Sequence, residues 1–429
     1  MRLTAILFTS VTLLSTTYAA TLEKRCNLRR EPITVKNGLP LGEVKVGSPP
    51  QPFRVLFDTS NSLTWVPSTD CHTPICRKNS NKLYSPNTSS TAVNLHQKES
   101  IKFDEGVCID VRLYRDTVSV AGLEVPNQLF GAAYSVKGLD EDHFGFLGLG
   151  NYADGGSVRL SSSNSSSSLT KRQSGGNGAF APNAFQLGAQ QGSAQFGFYT
   201  TSPSSGFYQK RNNDGHNGEF IIGGIDHNVY KGGIAYFKLP TCDYGDSPYW
   251  KTELKCVKLG NKIDVKLAPK TLASFSTGTS HMLAPSHQAD LLHAALDAHY
   301  DEDEDVYKID CCEDLSKFPD LKFDFNGYRI TLPPKAYLKK DNDKQCLSKF
   351  PDLKFDFNGY RITLPPKAYL KKDNDKQCHS LIGRNTDDKN WILGGYFSQW
   401  FYQVYDASNS QIGLALTKGE SDVKIDKLH

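Results

Sequence analysis

Short apolar runs that end in small polar residues occur twice in the chain, once in each half. Val55–Phe57 leads into Asp58-Thr59-Ser60, and Leu272–Phe275 leads into Ser276-Thr277-Gly278. Such apolar runs favour buried strands, whereas Asp, Ser, Thr and Gly favour tight turns. Each half is therefore predicted to contain a buried strand that ends in a polar turn.

Most of the remaining pattern is also that of strands. Alternation of apolar and polar residues over Ile101–Val120 predicts a long hairpin. Phe144–Gly150 and Trp391–Phe397 are apolar runs that contain glycines. Gln288–His299 is predicted to be a helix, because four apolar residues recur at helical spacing: Leu291, Leu292, Ala295 and Leu296. A mostly β protein is expected.

Length and charge limit the class of protein. The chain has 429 residues, 38% of them hydrophobic, and a formal net charge of +3. It is long enough for two lobes with sizeable cores, and its composition is that of a globular protein. The net charge is too small to indicate a nucleic-acid partner.

The ends of the chain predict its destination. Met1–Ala20 combines an early Arg, short apolar runs and a small-residue end, which is typical of a secretory signal peptide. No later stretch approaches the roughly 20 apolar residues of a spanning helix, and the tail 419–429 is too polar for a lipid anchor. A secreted, extracellular protein without a membrane partner is expected. Asn87-Thr88-Ser89 and Asn164-Ser165-Ser166 are glycosylation sequons that suit surface loops of such a protein.

The two turns, the Trp65–Ser68 segment and the two glycine-containing runs occur in the order found in pepsin-like aspartic proteases, in which such runs are strands beside the turns. The chain resembles this family, as a secreted fungal-type endopeptidase, from about Leu39 to Lys418. The resemblance implies a mostly β, bilobal fold with a cleft between two pseudo-symmetric lobes. It also implies an extended peptide or unfolded protein as the substrate, a monomer, and neither a cofactor nor a metal.

The resemblance divides the chain into segments. The N-terminal lobe is expected over 39–229, with a Ser/Gly-rich insertion at 157–178, and the C-terminal lobe over 230–418. A short pro-segment or N-terminal segment, 21–38, would precede them. Lys24-Arg25 within it is predicted to be cleaved by a dibasic-processing endoprotease.

In the family, two aspartates share one proton, so that one activates water while the other protonates the carbonyl oxygen. Asp58 matches one catalytic carboxylate, and Ser276 stands where the second is expected. A serine hydroxyl cannot share a proton with Asp58 in the same pH range. Ser276 is not expected to be a nucleophile, because its surroundings are not a nucleophile elbow and supply no base.

Residues around the turns and the hairpin would contact the substrate: Thr59, Ser60, Trp65, Phe103, Gly106, Thr277, Gly278 and Thr279. Two of them depart from the family. Ser60 replaces a glycine, which a small residue can tolerate. Phe103 replaces the tyrosine of the hairpin, or flap, whose hydroxyl would bond to Trp65, so the flap is expected to grip a peptide less well.

The chain has ten cysteines, which in a secreted protein favour disulfides over thiols. A zinc site is the weaker alternative, because the spacings fit no zinc pattern. The expected pairs are Cys71 with Cys76, where the family often has a small disulfide, Cys242 with Cys256, and Cys311 or Cys312 with Cys346 or Cys378.

One segment belongs to no family pattern. Residues 315–346 recur without a change as 347–378. Gly148 follows Asp58 by 90 residues and Gly394 follows Ser276 by 118, a spacing that falls to 86 without one 32-residue copy. The second copy is therefore expected to be surplus to the fold, either as a recent tandem duplication or as an error of the gene model.

Two functions are compatible with the sequence. By resemblance the protein would be an aspartic endopeptidase; by the residues present, its catalysis is expected to be lost or severely reduced. The alternative is a non-catalytic peptide- or protein-binding pseudoprotease that acts as a decoy or inhibitor.

Overall fold

The computed structural model describes most of the chain between residues 28 and 427. The described ranges are 28–78, 82–102, 106–139, 144–150, 178–188, 193–200, 215–240, 250–259, 263–310, 324–325, 328–329, 352–357, 359–365, 368–372, 377–418 and 423–427. Within them the protein is mostly β, and the expected fold class is confirmed.

The strands before residue 240 are β1 Arg29–Lys36, β2 Leu39–Val46, β3 Gln51–Asp58, β4 Trp65–Pro67, β5 Val93–Lys102, β6 Cys108–Val120, β7 Leu123–Lys137, β8 Phe146–Gly148, β9 Gln195–Thr200, β10 Gly218–Ile222 and β11 Tyr230–Lys238. The next are β12 Lys251–Leu259, β13 Ile263–Val265, β14 Leu272–Phe275, β15 Met282–Pro285, β16 Ala298–Asp301, β17 Val306–Asp310, β18 Asp324–Phe325 and β19 Tyr328–Arg329. The last are β20 Leu353–Phe357, β21 Tyr360–Leu364, β22 Leu370–Lys372, β23 Gln377–Ser380, β24 Ile382–Asn385, β25 Trp391–Leu393, β26 Phe401–Asp406, β27 Gln411–Thr417 and β28 Lys424–Lys427. The helices are α1 Pro74–Lys78, α2 Phe180–Gly188, α3 Ser286–Ala294 and α4 Gly395–Ser398.

Two large sheets organise the described residues. A thirteen-stranded sheet has the order β11-β27-β26-β9-β10-β1-β2-β3-β8-β4-β7-β6-β5. A nine-stranded sheet has the order β24-β15-β25-β14-β12-β20-β21-β28, with β13 beside β12. The first sheet combines strands from both ends of the chain, since β26 lies between β27 and β9. The two halves are thereby joined through one sheet.

Each half repeats the same arrangement around its polar turn. In the first half, β3 runs parallel to β8, which is antiparallel to β4, and β4 is parallel to β7. In the second half, β14, β25, β15 and β24 repeat that sequence of parallel, antiparallel and parallel pairings. Strands β8 and β25 therefore pass between the two strands that flank each turn. This repeat is the structural basis of the two pseudo-symmetric lobes.

The hairpin is longer than the sequence predicted. It joins Val93–Lys102 to Cys108–Val120, with Ile101 opposite Ile109 and Lys102 opposite Cys108. The alternation from Ile109 to Val120 thus belongs to one strand, and the other strand lies before the tip. Gly106 has a left-handed backbone at φ +74°, whereas Phe103 lies outside the described residues.

Two of the predicted elements begin or end at other residues in the structure than the sequence predicted. The helix predicted at Gln288–His299 is Ser286–Ala294, because Asp297 adopts a left-handed backbone at φ 57° and the chain turns into β16. Leu292 and Leu296 are buried, but Leu291 is 39% exposed. The predicted strand Trp391–Phe397 is a strand only to Leu393 and then forms α4.

The terminal segments take part in the sheets. Arg29–Lys36, which falls in the predicted pro-segment 21–38, pairs with β10 on one side and β2 on the other. Lys424–Lys427, from the predicted polar tail, pairs with β21 at the edge of the nine-stranded sheet. The predicted signal peptide, Lys24-Arg25 and residues 157–177 of the predicted insertion lie outside the described residues.

The duplicated copies occupy different positions. Strands β20 and β21 of the second copy lie inside the nine-stranded sheet beside β12. The described part of the first copy, β18 and β19, forms a separate two-stranded sheet that lies against β12, β20, β21 and β28. The expectation that the second copy is surplus is therefore wrong, because that copy supplies the sheet strands.

The Cys71–Cys76 disulfide is present, with a Cα–Cα distance of 5.8 Å. The Cys256 sulfur lies 3.3 Å from Asp264 Oδ1. Cys242, Cys311 and Cys346 lie outside the described residues, as does the side chain of Cys378. Their pairings stay predictions.

Among the described helices, none has the length and apolar character needed to cross a bilayer.

A buried histidine makes the stability of the fold depend on pH. His293 stacks on Tyr307 with ring centroids 3.5 Å apart, and its Nδ1 lies 2.7 Å from Ala289 O. Its Nε2 is buried without a partner in the described structure. Burial lowers the pKa of His293 to about 3. The unfolded chain therefore takes up this proton first, and the associated stability is present above about pH 6.5 and is lost as the pH falls.

We expect the free energy of unfolding to fall by on the order of 3 kcal/mol between about pH 7 and about pH 4 through this residue. His293→Phe keeps the ring stack and should flatten the pH profile measured by thermal unfolding. His299→Phe is the matched control, because His299 is exposed. Equal pH slopes for wild type and His293→Phe would contradict the assignment.

Candidate active site

The two polar turns are held together by reciprocal hydrogen bonds between threonines. Thr59 N donates to Thr277 Oγ1 at 3.0 Å, and Thr277 N donates to Thr59 Oγ1 at 3.1 Å. Thr59 Oγ1 donates to Phe275 O at 2.9 Å, and Thr277 Oγ1 donates to Phe57 O at 2.6 Å. Both threonines are buried. The bonds relate the two turns symmetrically and fix their separation.

Asp58 lies at the end of β3, where Gly148 is its neighbour on β8. The residue is 1% exposed. Oδ1 accepts hydrogen bonds from Ser60 N at 2.7 Å and Ser60 Oγ at 2.6 Å. Oδ2 accepts one from Asn61 Nδ2 at 2.6 Å. Each oxygen of Asp58 is therefore engaged by a donor of its own turn.

Burial raises the pKa of Asp58, and the hydrogen bonds from Ser60 and Asn61 oppose that increase because they favour the charged form. Burial is the larger influence. Asn61 was not among the residues predicted for the site. Its position three residues after Asp58, inside a turn of small polar residues, was the available indication.

Ser276 comes directly after the last residue of β14, and Asp58 is the last residue of β3. The two residues therefore occupy corresponding places in the two halves. Ser276 N donates to Leu393 O at 3.0 Å, which ties the second turn to β25. Its hydroxyl donates to Thr279 Oγ1 at 3.0 Å. Ser276 is buried, at 2% exposure. The Ser276 hydroxyl thus bonds to a residue of its own turn, and no hydrogen bond joins it to Asp58 in the described structure.

Gly278 approaches the Asp58 carboxyl group from the opposite turn. A Cβ atom at this position would lie 2.3 Å from Asp58 Oδ1 and 2.5 Å from Oδ2, distances that no side chain can adopt. Glycine is therefore required at 278 for the two turns to meet. Thr279 lies beyond this contact and, through its carbonyl, accepts a bond from Gly395 N at 2.7 Å.

Trp65 lies on β4 and packs against Phe146, with ring centroids 5.3 Å apart. Its indole Nε1 is buried, and none of the described residues accepts its hydrogen. An indole N–H usually finds a partner when it is buried. Phe103, which the resemblance places near this indole, lies outside the described residues, so its effect on Trp65 stays a prediction.

The structure brings together Asp58, Thr59, Ser60, Ser276, Thr277 and Gly278, all at the junction of the two turns. One buried carboxylate can accept or donate a proton, but a second carboxylate is needed to do both in one step. Among the described residues, no group of three or more His, Cys, Asp or Glu side chains could hold a metal ion.

Two lobes built on paired strand–turn units, with the turns locked by threonines, define the class of pepsin-like folds. Residues 41–352 and 345–417 match the family model described as eukaryotic aspartyl protease. The chain therefore belongs to the eukaryotic aspartyl protease family. The two matched ranges overlap at the junction between the duplicated copies.

Individual relatives agree with this membership. Gastricsin from Callithrix jacchus is 28% identical over 385 residues, which is 90% of this chain and 83% of that protein. Gastricsin from Homo sapiens gives the same identity and coverage. Pepsin A from Gallus gallus is 28% identical over 376 residues, or 87% of this chain and 83% of that protein. The fungal type stays a prediction.

Proposed function

We propose that this protein is a secreted member of the family that has lost most or all endopeptidase activity. The carrying observation is that Ser276 occupies, in the second turn, the place that Asp58 occupies in the first, while its hydroxyl is bonded to Thr279 at 3.0 Å. Asp58 therefore lacks an acidic partner in the described structure. Loss of one general acid or base costs about 10²–10⁴-fold in rate, and groups that act as a unit lose more.

A second candidate function is peptide or protein binding without cleavage, as a decoy or inhibitor. The threonine bonds, the Gly278 contact and the two-lobed sheet framework are intact although the carboxylate pair is not. These features shape the cleft rather than carry out the chemistry. Their retention favours a protein that still receives an extended chain.

The remaining proposals follow from the sequence. The protein is a monomer exported to the extracellular space, and its chain is cut after Lys24-Arg25 by a dibasic-processing endoprotease. An extended peptide or an unfolded protein occupies the cleft, and neither a nucleic acid nor a membrane is a partner.

Incubation of the purified mature protein with an unfolded protein substrate, from about pH 2 to about pH 7, tests the proposal. We expect little cleavage that a statine-type inhibitor blocks, together with measurable binding of extended peptides by calorimetry. Asp58→Asn is the control and should leave the residual cleavage unchanged. Robust wild-type turnover that Asp58→Asn abolishes would refute the loss of activity.

A further inference from the structure

The first turn also departs from the family, two residues after its aspartate. Ser60 replaces a glycine, and its backbone is not left-handed, so the turn does not require glycine. Its hydroxyl reaches back to Asp58 Oδ1 at 2.6 Å. A glycine cannot make this bond. The replacement therefore adds a donor to a carboxylate that has no acidic partner in the described structure.

We propose that the Ser60 hydroxyl takes over the hydrogen bond that a second carboxylic acid would give to Asp58, so that Ser60 and Ser276 are adapted to each other. This inference rests on the proposed function, because it assumes that Ser276 marks the lost acid. It makes Ser60 a positioning residue that holds a lone buried carboxylate and reduces its availability to water.

The number of acceptor sites on Asp58 supports this coupling. An ionised carboxyl group offers about four lone-pair sites. Ser60 N, Ser60 Oγ and Asn61 Nδ2 fill three of them. A working pair shares one proton between its two carboxyl groups, and the ionised one takes a proton from the attacking water, so Asp58 needs an open acceptor site. The Ser60 hydroxyl therefore occupies an acceptor site that a glycine at this position would leave open.

The bond is also well placed to stabilise the charge. Asp58 is 1% exposed, so water cannot replace a lost donor, and a hydrogen bond to a charged group is stronger in such surroundings. The backbone of Gly278 lies against the Asp58 carboxyl group from the second turn, since a Cβ at residue 278 would lie 2.4 Å from Asp58 Cγ. The stabilising donors therefore come from the first turn itself.

Titration of Asp58 by carboxyl NMR tests the inference without relying on activity. Ser60→Ala should raise the pKa of Asp58 by about one pH unit or more, because a donor to the charged form is removed. Ser60→Thr keeps a hydroxyl and should restore the wild-type value. Ser62→Ala is the matched control, because its hydroxyl makes no bond to Asp58. An unchanged pKa in Ser60→Ala would overturn the proposal.

Activity in the Ser276→Asp background gives the second measurement. Adding Ser60→Gly or Ser60→Ala to Ser276→Asp should raise kcat/KM at least about 10-fold, which is less than the roughly 10²-fold lower end of a whole general acid–base contribution because only the availability of Asp58 changes. A decrease in kcat/KM in either double variant would overturn the proposal. An active wild type would refute the proposed function instead, and the Asp58 titration would still decide the role of Ser60.

Discussion

Ser276→Asp is expected to give the protein acid-dependent endopeptidase activity at least about 10²-fold above that of the wild type. The reciprocal Thr59–Thr277 bonds already hold the two turns in register, and Gly278 already lies against Asp58. An aspartate at 276 would therefore face Asp58 across a preformed junction. Two such carboxyl groups cannot both ionise at close range, so one would stay acidic while the other stays basic.

The measurement is cleavage of an unfolded protein substrate between about pH 2 and about pH 7, with and without a statine-type inhibitor. Ser276→Asn is the matched control, because asparagine has nearly the shape of aspartate but cannot ionise. Activity should appear in Ser276→Asp, be absent in Ser276→Asn, and be abolished by adding Asp58→Asn. Ser60 and Phe103 still depart from the family, so the rescue is expected to be partial. A folded, inactive Ser276→Asp protein with the Ser60 hydroxyl also removed would contradict the assignment of residue 276.

Deleting residues 315–346 is expected to stabilise the protein by about 1–4 kcal/mol, a range taken from the gain seen when a buried ion pair is replaced by apolar residues. The polar face of the second copy carries four charged residues that are 0% exposed: Asp352, Lys354, Asp356 and Arg361. An alternating strand normally turns such residues to water. Here the described hairpin of the first copy lies against β20 and β21.

Burial of these charged side chains lowers the free energy of unfolding, and the deletion would remove that loss. Arg361 Nη2 bonds to Asp356 Oδ2 at 2.6 Å, yet burial lowers the pKa of Arg361 to about 9. The shorter connection changes the loop-closure entropy by less than about 1 kcal/mol. Because the copies are identical, removal of either one yields the same protein, and β20 and β21 keep their sequence.

Denaturant unfolding of the full chain and the deletion variant measures the effect. The double change Asp356→Leu with Arg361→Met supplies a matched test of the cause. It should stabilise the full chain but have little effect in the deletion variant, where the face meets water. Loss of stability on deletion would mean that the first copy is a required layer of the fold.

Sequence reasoning located the elements where local chemistry decides the structure. The turns after Phe57 and Phe275 were found because small polar residues favour tight turns. The glycine-containing runs around Gly148 and Gly394 were found through the resemblance to the family. The predicted first and last residues of the elements were less accurate. Helix α3 ends at Ala294 because Asp297 turns left-handed, and no apolar spacing predicts that.

The sequence by itself determined the two-lobed β class and the absence of an aspartate at residue 276. Both are matters of residue type and order, which the chain carries without folding. The tertiary structure alone decided which duplicated copy enters the sheet, because the two are identical and only their neighbours differ. It also decided that Thr59 and Thr277 bond across the two halves and that Gly278 abuts Asp58. Such contacts join residues far apart in the chain, and only the packing of the lobes brings them within reach.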